Sequence, residues 1–239
     1  MGQIDWRGVF PALTTKFAAD GSPDWGAMAS HLAFQLDAGV QGIVILGSLG
    51  ESATLSREEK REAVKRFCET DRRGKPLVVT IAECSTRGAC AFAEVCESEG
   101  ADAIMLPPPM RYPSDWRETR RYLNEVASAT GLPIMLYNNP VAYGTDIDPA
   151  QFAELADNPR FEAIKESSAD TRRVADIRRL TGDRYAVLCG VDNIALECFV
   201  LGACGWVAGL VVAFPSETVR LYELASAGEW DEARRLYEW

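Results

Sequence analysis

The sequence has a single histidine, His31, among its 239 residues. Ser-His-Asp catalysis needs a histidine base, and multi-histidine metal sites need several, so both classes of site lack an essential residue. His31 lies beside Met28, Leu32 and Leu36, whose four-residue spacing predicts an amphipathic helix. We therefore interpret His31 as a helix-surface residue, and we expect neither a metal site nor a cofactor.

Targeting signals and a positive charge excess are also missing. The chain begins Met1-Gly2-Gln3-Ile4-Asp5-Trp6, without the basic and then apolar segments of a signal peptide. No uncharged stretch reaches the roughly 18 apolar residues that a membrane span needs. The formal net charge of -10 argues against nucleic acid or an anionic membrane as a partner. We expect a cytoplasmic protein that acts on a small molecule.

The seven cysteines include no Cys-x-x-Cys pair. Their odd number favours reduced thiols with structural roles. Cys84 and Cys189 fall near predicted strand ends, where they could line a pocket. A nucleophilic cysteine would, however, usually need a histidine partner.

The chain does contain a repeating order of short apolar run, polar loop and amphipathic helix. The predicted strands are Val9–Leu13, Gly42–Leu46, Leu77–Ile81, Ala103–Leu106, Ile134–Tyr137, Phe161–Lys165, Tyr185–Cys189 and Trp206–Leu210. Helix start signals fall between them, such as the capping box Ser56-Arg57-Glu58-Glu59 and the pair Asp148-Pro149.

Eight buried strands that alternate with helices predict an α/β fold, a (β/α)8 or TIM barrel. A doubly wound open sheet is the alternative, but it would usually carry a glycine-rich turn after the first strand. Here that turn reads Thr14-Thr15-Lys16-Phe17. We assign residues 1–215 to the barrel, and residues 216–239 to its last helix and the start of a truncated C-terminal helical region.

An amine and a phenol end two successive predicted strands. Lys165 closes one apolar run and Tyr137 closes the run before it. Catalytic groups of TIM barrels lie at the carboxyl ends of strands. A buried lysine that is neutral can attack a carbonyl carbon, and the resulting cationic imine is an electron sink. Tyr137 would move protons, unless it is plain core or Lys165 is merely paired with an acid.

Four segments in this order resemble the dihydrodipicolinate synthase / N-acetylneuraminate lyase family across nearly the whole chain: Gly47-Ser48-Leu49-Gly50-Glu51-Ser52, Tyr137-Asn138-Asn139-Pro140, Lys165-Glu166 and Gly190-Val191-Asp192. The resemblance implies a class I, Schiff-base-forming lyase on a TIM barrel, usually a homotetramer. It implies that Lys165 forms the imine, that Tyr137 transfers protons, and that Ser48 and Leu49 hold the substrate carboxylate. The expected catalytic residues are thus Lys165, Tyr137 and Ser48. The expected substrate-binding residues are Gly47, Leu49, Gly50, Glu83, Tyr143, Gly190, Asp192 and Gly209.

The sequence departs from the synthases of that family at three positions. Met110 stands where they have a tyrosine donated across a subunit interface to a hydroxyl relay. No arginine follows Pro140, and Leu49 replaces a second hydroxyl. The family's C-terminal helical extension is also mostly missing. Lysine-pathway synthase is therefore the lesser interpretation.

Tyr143-Gly144 and Glu83 resemble catabolic members of the family instead. We expect dehydration, deamination or aldol cleavage of a small 2-oxo acid or cyclic imine. Examples are 4-hydroxy-1-pyrroline-2-carboxylate deaminase and the 2-keto-3-deoxy sugar acid aldolases and dehydratases. Glu83 would then be a general acid or base on a substrate hydroxyl, or else a solvated loop carboxylate.

Several alternatives remain. One is the synthase that condenses pyruvate with aspartate semialdehyde, and another is a non-catalytic barrel that binds 2-oxo acids. A metal-dependent aldolase is the third, disfavoured by the single histidine. The expected assembly is a homo-oligomer, a tetramer or a dimer.

Overall fold

Eight parallel strands form the centre of the molecule in the computed structural model, which describes residues 4–239. The strands are β1 Gly8–Pro11, β2 Ile43–Ile45, β3 Leu77–Thr80, β4 Ala103–Leu106, β5 Ile134–Asn138, β6 Phe161–Glu166, β7 Ala186–Cys189 and β8 Gly205–Ala208. They follow the order β1-β8-β7-β6-β5-β4-β3-β2.

The two ends of this sheet meet and close it into a barrel. Ala12 forms a parallel bridge with Val44, and the amide of Leu13 donates a 2.9 Å hydrogen bond to the carbonyl of Val44. The predicted (β/α)8 barrel is confirmed, and the doubly wound alternative is wrong.

Helices follow the strands as the alternation predicted. They are α1 Trp25–Asp37, α2 Arg57–Glu69, α3 Thr86–Glu99, α4 Trp116–Ser128, α5 Pro140–Tyr143, α6 Pro149–Glu154, α7 Arg172–Thr181, α8 Ala195–Val200, α9 Pro215–Ser226 and α10 Trp230–Tyr237. The capping box at Ser56 and Glu59 begins α2, and Asp148 caps α6, so both predicted helix starts are confirmed.

Side chains alternate along each strand between the barrel interior and the layer under the helices. On β5, Met135 and Tyr137 join the interior cluster, whereas Ile134 and Leu136 pack towards the helices. Ala163 of β6 also belongs to the interior cluster. Because the period of a strand is two residues, Lys165 shares the inner face with Ala163.

The eighth strand ends two residues earlier than its apolar run predicted. Leu210–Val212 forms a short 3-10 helix instead. The carboxylate of Asp192 accepts hydrogen bonds from the amides of Gly209 (3.1 Å) and Leu210 (2.9 Å), which turns the backbone away from the sheet.

The single histidine lies on α1 as expected, but it is not a plain surface residue. His31 is half-buried, and its Nε2 lies 2.9 Å from the carbonyl oxygen of Val212. It therefore ties α1 to the 3-10 turn that follows β8.

The last described residue, Trp239, remains 73% exposed and makes one edge contact with Phe214, their ring centroids 5.2 Å apart. The division at residue 215 stays a prediction. Within residues 4–239, no helix combines the length and apolarity that a membrane crossing requires.

Candidate active site

Lys165 and Tyr137 are direct neighbours across the β5–β6 pair. The two residues are in register in the parallel ladder, and each is only 6% exposed. The ammonium nitrogen of Lys165 lies 4.1 Å from the centroid of the Tyr137 ring. An amine and a phenol therefore share one buried position at the carboxyl end of the barrel.

Opposing effects act on the phenol of Tyr137. Burial raises its pKa, whereas the positive charge of Lys165 and hydrogen bonds from neighbouring side chains lower it, and the lowering dominates. One of those bonds comes from Nδ2 of Asn139, which donates to the phenol oxygen at 3.0 Å. A tyrosine with a lowered pKa is a better proton acceptor at neutral pH than an ordinary phenol.

Two further hydroxyls lie at the mouth of the barrel. The hydroxyl of Ser48, after β2, is 2.6 Å from that of Tyr143, at the end of α5. The ring of Tyr143 meets the ring of Tyr137 edge-on, with centroids 5.5 Å apart and planes at 88°. Ser48, Tyr143 and Tyr137, predicted as separate site residues, thus form one continuous group.

The turn from Gly47 to Gly50 is tightly held. Thr15 donates a 2.6 Å hydrogen bond to the carbonyl of Gly50. Among residues 4–239, no hydrogen bond uses the amides of Ser48 and Leu49. Free amides in a rigid turn can bind a carboxylate, which is the role predicted for this segment.

Gly190 lies against the lysine. A Cβ atom at this position would be 2.9 Å from Cγ and Cε of Lys165 and 1.9 Å from the hydroxyl of Ser167. Any side chain at residue 190 would therefore displace the amine-bearing chain.

Gly209 lies beside Leu49 at the end of β8, where a Cβ would be 2.9 Å from the leucine Cδ1. Asp192, predicted to bind substrate, has both carboxylate oxygens engaged by the protein. In addition to the amides after β8, it accepts a 3.1 Å hydrogen bond from Nε1 of Trp206. The position of Asp192 thus fits a role in holding the β8 loop.

Glu83 forms an ion pair with Lys60 of α2. Its Oε1 lies 2.7 Å from the lysine nitrogen, and the side chains are 12% and 8% exposed. Glu83 is therefore not the solvated carboxylate considered from the sequence. This ion pair holds the carboxylate of Glu83 towards α2. The role of Glu83 as a general acid or base stays a prediction.

Three polar residues near the site were missed by the sequence analysis: Asn139, Thr80 and Ser167. Asn139 caps α5 through a 3.1 Å bond from the amide of Ala142 while it also bonds Tyr137. The hydroxyls of Thr80 and Ser167 are buried without a hydrogen-bond partner among the described residues. Side chains alternate along a strand, so Thr80 faces the barrel interior like Val78, and Ser167 does so like Lys165. This alternation could have identified both hydroxyls from the sequence.

A second polar cluster lies one residue further along the same strands. Nδ2 of Asn138 donates to Oε2 of Glu166 and to Oδ1 of Asp146, both at 3.1 Å. Arg173 of α7 pairs with Asp146 at 2.5 Å. Burial raises the pKa of Glu166, although bonds from Ser168 and Asn138 oppose it. This cluster joins β5 to β6 immediately beside Tyr137 and Lys165.

The arrangement combines a buried amine, a proton acceptor, hydroxyls that reach the mouth, and a turn with free amides. Together these groups can bind a carboxylate and attack the carbonyl beside it. Within residues 4–239, no three histidine, cysteine, aspartate or glutamate side chains group in a way that could hold a metal ion.

Comparisons with known proteins all identify the same family. The model of the dihydrodipicolinate synthetase family matches residues 5–238. The 4-hydroxy-tetrahydrodipicolinate synthase of Haloarcula marismortui is 32% identical over 238 residues, which are 99% of this chain and 78% of that protein. The enzyme of the same name from Anaplasma marginale (strain St. Maries) is 35% identical over 233 residues, 96% of this chain and 76% of that protein.

Solved structures agree in fold. The 4-hydroxy-tetrahydrodipicolinate synthase of Methylacidiphilum fumariolicum SolV has a TM-score of 0.94 at 28% identity, covering 98% of this chain and 78% of that one. A chloride-inhibited dihydrodipicolinate synthase from Acinetobacter baumannii, solved with pyruvate, has a TM-score of 0.93 at 27% identity, covering 97% and 80%.

Proposed function

We propose that this chain, which belongs to the dihydrodipicolinate synthetase family of class I lyases, uses Lys165 to form a Schiff base with a small 2-oxo acid. The observation that carries the proposal is the in-register pair of Lys165 and Tyr137, with the amine 4.1 Å from the phenol ring centroid. Two such groups buried together at a strand end suit attack on a carbonyl better than they suit packing.

The first half of the reaction follows from these groups. The neutral amine of Lys165 attacks the 2-oxo carbon, and the carbonyl oxygen takes up a proton. Tyr137 accepts the proton that the nitrogen loses and returns it to the new hydroxyl, which leaves as water to give a cationic imine. The other proton of that water comes from solvent, so one proton is taken up overall. The amides of Ser48 and Leu49 are available to hold the substrate carboxylate during these steps.

The imine then draws electrons from a neighbouring bond, and the second half of the reaction depends on what the substrate carries. The names of the curated relatives favour condensation of pyruvate with aspartate semialdehyde. They favour this synthase reaction over the catabolic reactions that the sequence predicted.

One feature of the site favours the catabolic reactions. Residues 141–143 are valine, alanine and tyrosine, so this segment offers no cation for a second carboxylate. The hydroxyl of Tyr143 faces Ser48 instead, at 2.6 Å. A hydroxyl at that place can exchange protons with a hydroxyl or amine of the substrate. We therefore keep dehydration, deamination or aldol cleavage of a hydroxylated 2-oxo acid or cyclic imine as the main candidate.

Trapping with borohydride tests the covalent step. Incubation with pyruvate and borohydride should add the mass of one reduced pyruvate, and peptide mapping should locate it at Lys165. Lys165→Ala should give no adduct. Lys16→Ala is the matched control, because Lys16 also follows a strand end, where its amine is 2.8 Å from the hydroxyl of Thr14. Folded wild-type protein that traps no 2-oxo acid would contradict the proposal.

A substrate panel then separates the two candidates. Pyruvate with aspartate semialdehyde tests condensation, and hydroxylated 2-oxo acids and cyclic imines are assayed for release of pyruvate, ammonia or water. Robust condensation, with no turnover of the other substrates, would make the protein a synthase. Turnover of a hydroxylated substrate without condensation would exclude that reaction.

A further inference from the structure

We propose that the hydroxyl of Thr80, the last residue of β3, binds the carboxylate of the 2-oxo acid beside the turn from Gly47 to Gly50. The inference rests on the proposed function and deepens it, since it adds a hydrogen-bond donor to the site of the Schiff-base substrate. It makes Thr80 a substrate-binding residue that determines affinity for the carboxylate.

The hydroxyl of Thr80 is buried without a partner. Thr80 is 2% exposed, and its Oγ1 has no hydrogen-bond partner among residues 4–239. Two other threonines that are equally buried do have partners. The hydroxyl of Thr119 is 2.7 Å from that of Ser114, and Thr218 donates a 2.6 Å bond to the carbonyl of Phe214. Because a buried polar atom without a partner costs free energy, the hydroxyl of Thr80 points to a partner that binds at this site.

Strand register places Thr80 at the level of Tyr137. Thr80 pairs with Met105 of β4, and Met105 pairs with Met135 of β5. The strands of a (β/α)8 barrel are tilted, so the level along the barrel axis shifts by about one residue from each strand to the next. Two such steps lead from Met135 to Tyr137, and the hydroxyl and the phenol therefore belong to one layer of the barrel interior.

The other members of this layer are small. Such layers hold four side chains from alternate strands. Ala12, which follows β1, belongs to the interior cluster, and Gly190, which follows β7, lies two positions after the inward-facing Leu188. Bulky side chains usually fill these layers, whereas Ala12 offers one methyl group and Gly190 none. The layer therefore leaves room between Thr80 and Tyr137.

The lysine and the carboxylate turn both reach this level. A Cβ at Gly190 would be 2.9 Å from Cε of Lys165, so the amine-bearing chain enters the layer of Thr80. A Cβ at Gly47 would be 3.5 Å from Oγ1 of Thr80, and no other heavy atom of the described residues, apart from Gly47 and its chain neighbours, lies within 4 Å of that point. The hydroxyl thus adjoins the turn whose amides are free to hold a carboxylate.

A carboxylate is the substrate group that suits this position. In a 2-oxo acid it is bonded directly to the carbon that Lys165 attacks, so it stays next to the reacting centre. Its two oxygens can accept about four hydrogen bonds, and the amides of Ser48 and Leu49 supply two of them. A bond from Thr80 adds a third and gives its hydroxyl a partner. Hydrogen bonds to an ionised acceptor are about twice as strong as those between neutral groups.

Thr80→Val tests the contact, because valine keeps the shape of threonine and removes the hydroxyl. The pyruvate concentration that gives half of the maximal borohydride-trapping rate should rise by about 10- to 100-fold, as expected for a lost hydrogen bond to a charged group. The rate at saturating pyruvate should change little, since Lys165 and Tyr137 are intact. Thr80→Ser keeps a hydroxyl and should restore most of the wild-type half-saturation.

Stability without pyruvate should respond in the opposite direction. Thr80→Val removes an unpartnered polar atom, so its urea midpoint should be at least that of wild type. Thr80→Ser loses a buried methyl group and should unfold at lower urea concentration. Thr119→Val is the matched control, because its hydroxyl has a partner on the outer side of the barrel. It should lower the midpoint and leave the half-saturating pyruvate concentration unchanged.

The wild-type measurement separates the two proposals. Wild-type protein that traps no pyruvate would overturn the proposed function. If wild type traps pyruvate and Thr80→Val is half-saturated at the same concentration, only the inference about Thr80 is wrong. The inference is also wrong if Thr80→Val loses as much stability as Thr119→Val, since the hydroxyl would then have a partner within the protein. A fall in the saturated rate alone would contradict it too, because the hydroxyl would then act in the chemistry and not on the carboxylate.

Discussion

Replacing Gly190 by alanine would place a methyl group directly against the side chain of Lys165. The new carbon would lie 2.9 Å from Cγ and Cε of the lysine, and 1.9 Å from the hydroxyl of Ser167. Carbon atoms in contact prefer separations of about 3.5–4.0 Å, so the lysine chain would have to retreat by at least about 0.6 Å. Ser167 is only 3% exposed and has little room to yield.

Two effects of different size should follow. Overpacking of this kind costs about 1–3 kcal/mol of stability. A displacement of about 1 Å at a reacting group can reduce a rate about 100-fold, so the pyruvate-trapping rate should fall by about 10- to 100-fold. The loss of rate should therefore exceed what the loss of stability explains in folded protein.

The assay is the single-exponential rate of borohydride-trappable adduct, read by intact mass, with urea unfolding measured in parallel. Gly26→Ala is the matched control on α1, where the nearest atom to the new Cβ is a carboxylate oxygen of Asp24 at 3.5 Å. It should leave the rate unchanged, and it should not destabilise the helix, since alanine is the better helix former.

A double variant separates the two contacts of the new methyl group. Gly190→Ala with Ser167→Ala removes the hydroxyl at 1.9 Å and leaves the lysine contacts at 2.9 Å. Stability should recover while the trapping rate stays low. If folded Gly190→Ala trapped pyruvate as fast as wild type, the close packing of this glycine on Lys165 would have no role in placing the amine.

Three further predictions concern the polar groups around the site. Burial raises the pKa of Glu166 above its ordinary value of 4.5. The contribution of Glu166 to the free energy of unfolding is therefore favourable at low pH and is lost as pH rises through the folded-state pKa. Glu166→Gln should flatten the fall in stability above about pH 4.5, as measured by urea unfolding. Lys60→Met leaves the charge of Glu83 buried without its partner and should destabilise the protein by about 3–5 kcal/mol. The double variant Lys60→Met with Glu83→Leu should recover most of this stability. Equal stability of the single and double variants would refute the ion pair. Asp192→Ala removes hydrogen bonds from two backbone amides and from Trp206, so it should lower the free energy of unfolding by about 3 kcal/mol without preventing adduct formation. A stable variant that traps no pyruvate would instead indicate that Asp192 binds the substrate.

The fold could be predicted because its signal is local. Each strand is a short apolar run, and helices such as α2 and α6 begin at a capping residue, so eight repeats were visible without any long-range information. The end of β8 was missed because Asp192, seventeen residues earlier, caps the amide of Gly209. A periodic pattern carries no information about such a partner.

The same holds for the site, where residues at strand ends could be predicted but their long-range partners could not. Strand order placed Lys165 and Tyr137 on one rim, and the structure adds that they share a register position. The partner of Glu83 could not be predicted, because Lys60 reaches it from α2, which packs on the barrel for reasons unrelated to Glu83. The bond from Tyr143 to Ser48 joins residues 95 positions apart, and only the closed barrel brings them together.

Some site residues lie on strands and others on connecting segments. For this reason, family membership says more about the first half of the proposed reaction, imine formation, than about the second. Lys165 and Tyr137 lie on strands, whose parallel register places them side by side, so relatives with the same barrel can share the covalent step. Leu49 and Tyr143 lie on the turn after β2 and on the one-turn helix α5, and such connections vary without loss of the fold. The groups that would meet the rest of the substrate are therefore those on which relatives can differ most. The names of the relatives are then stronger evidence for the imine than for the second substrate.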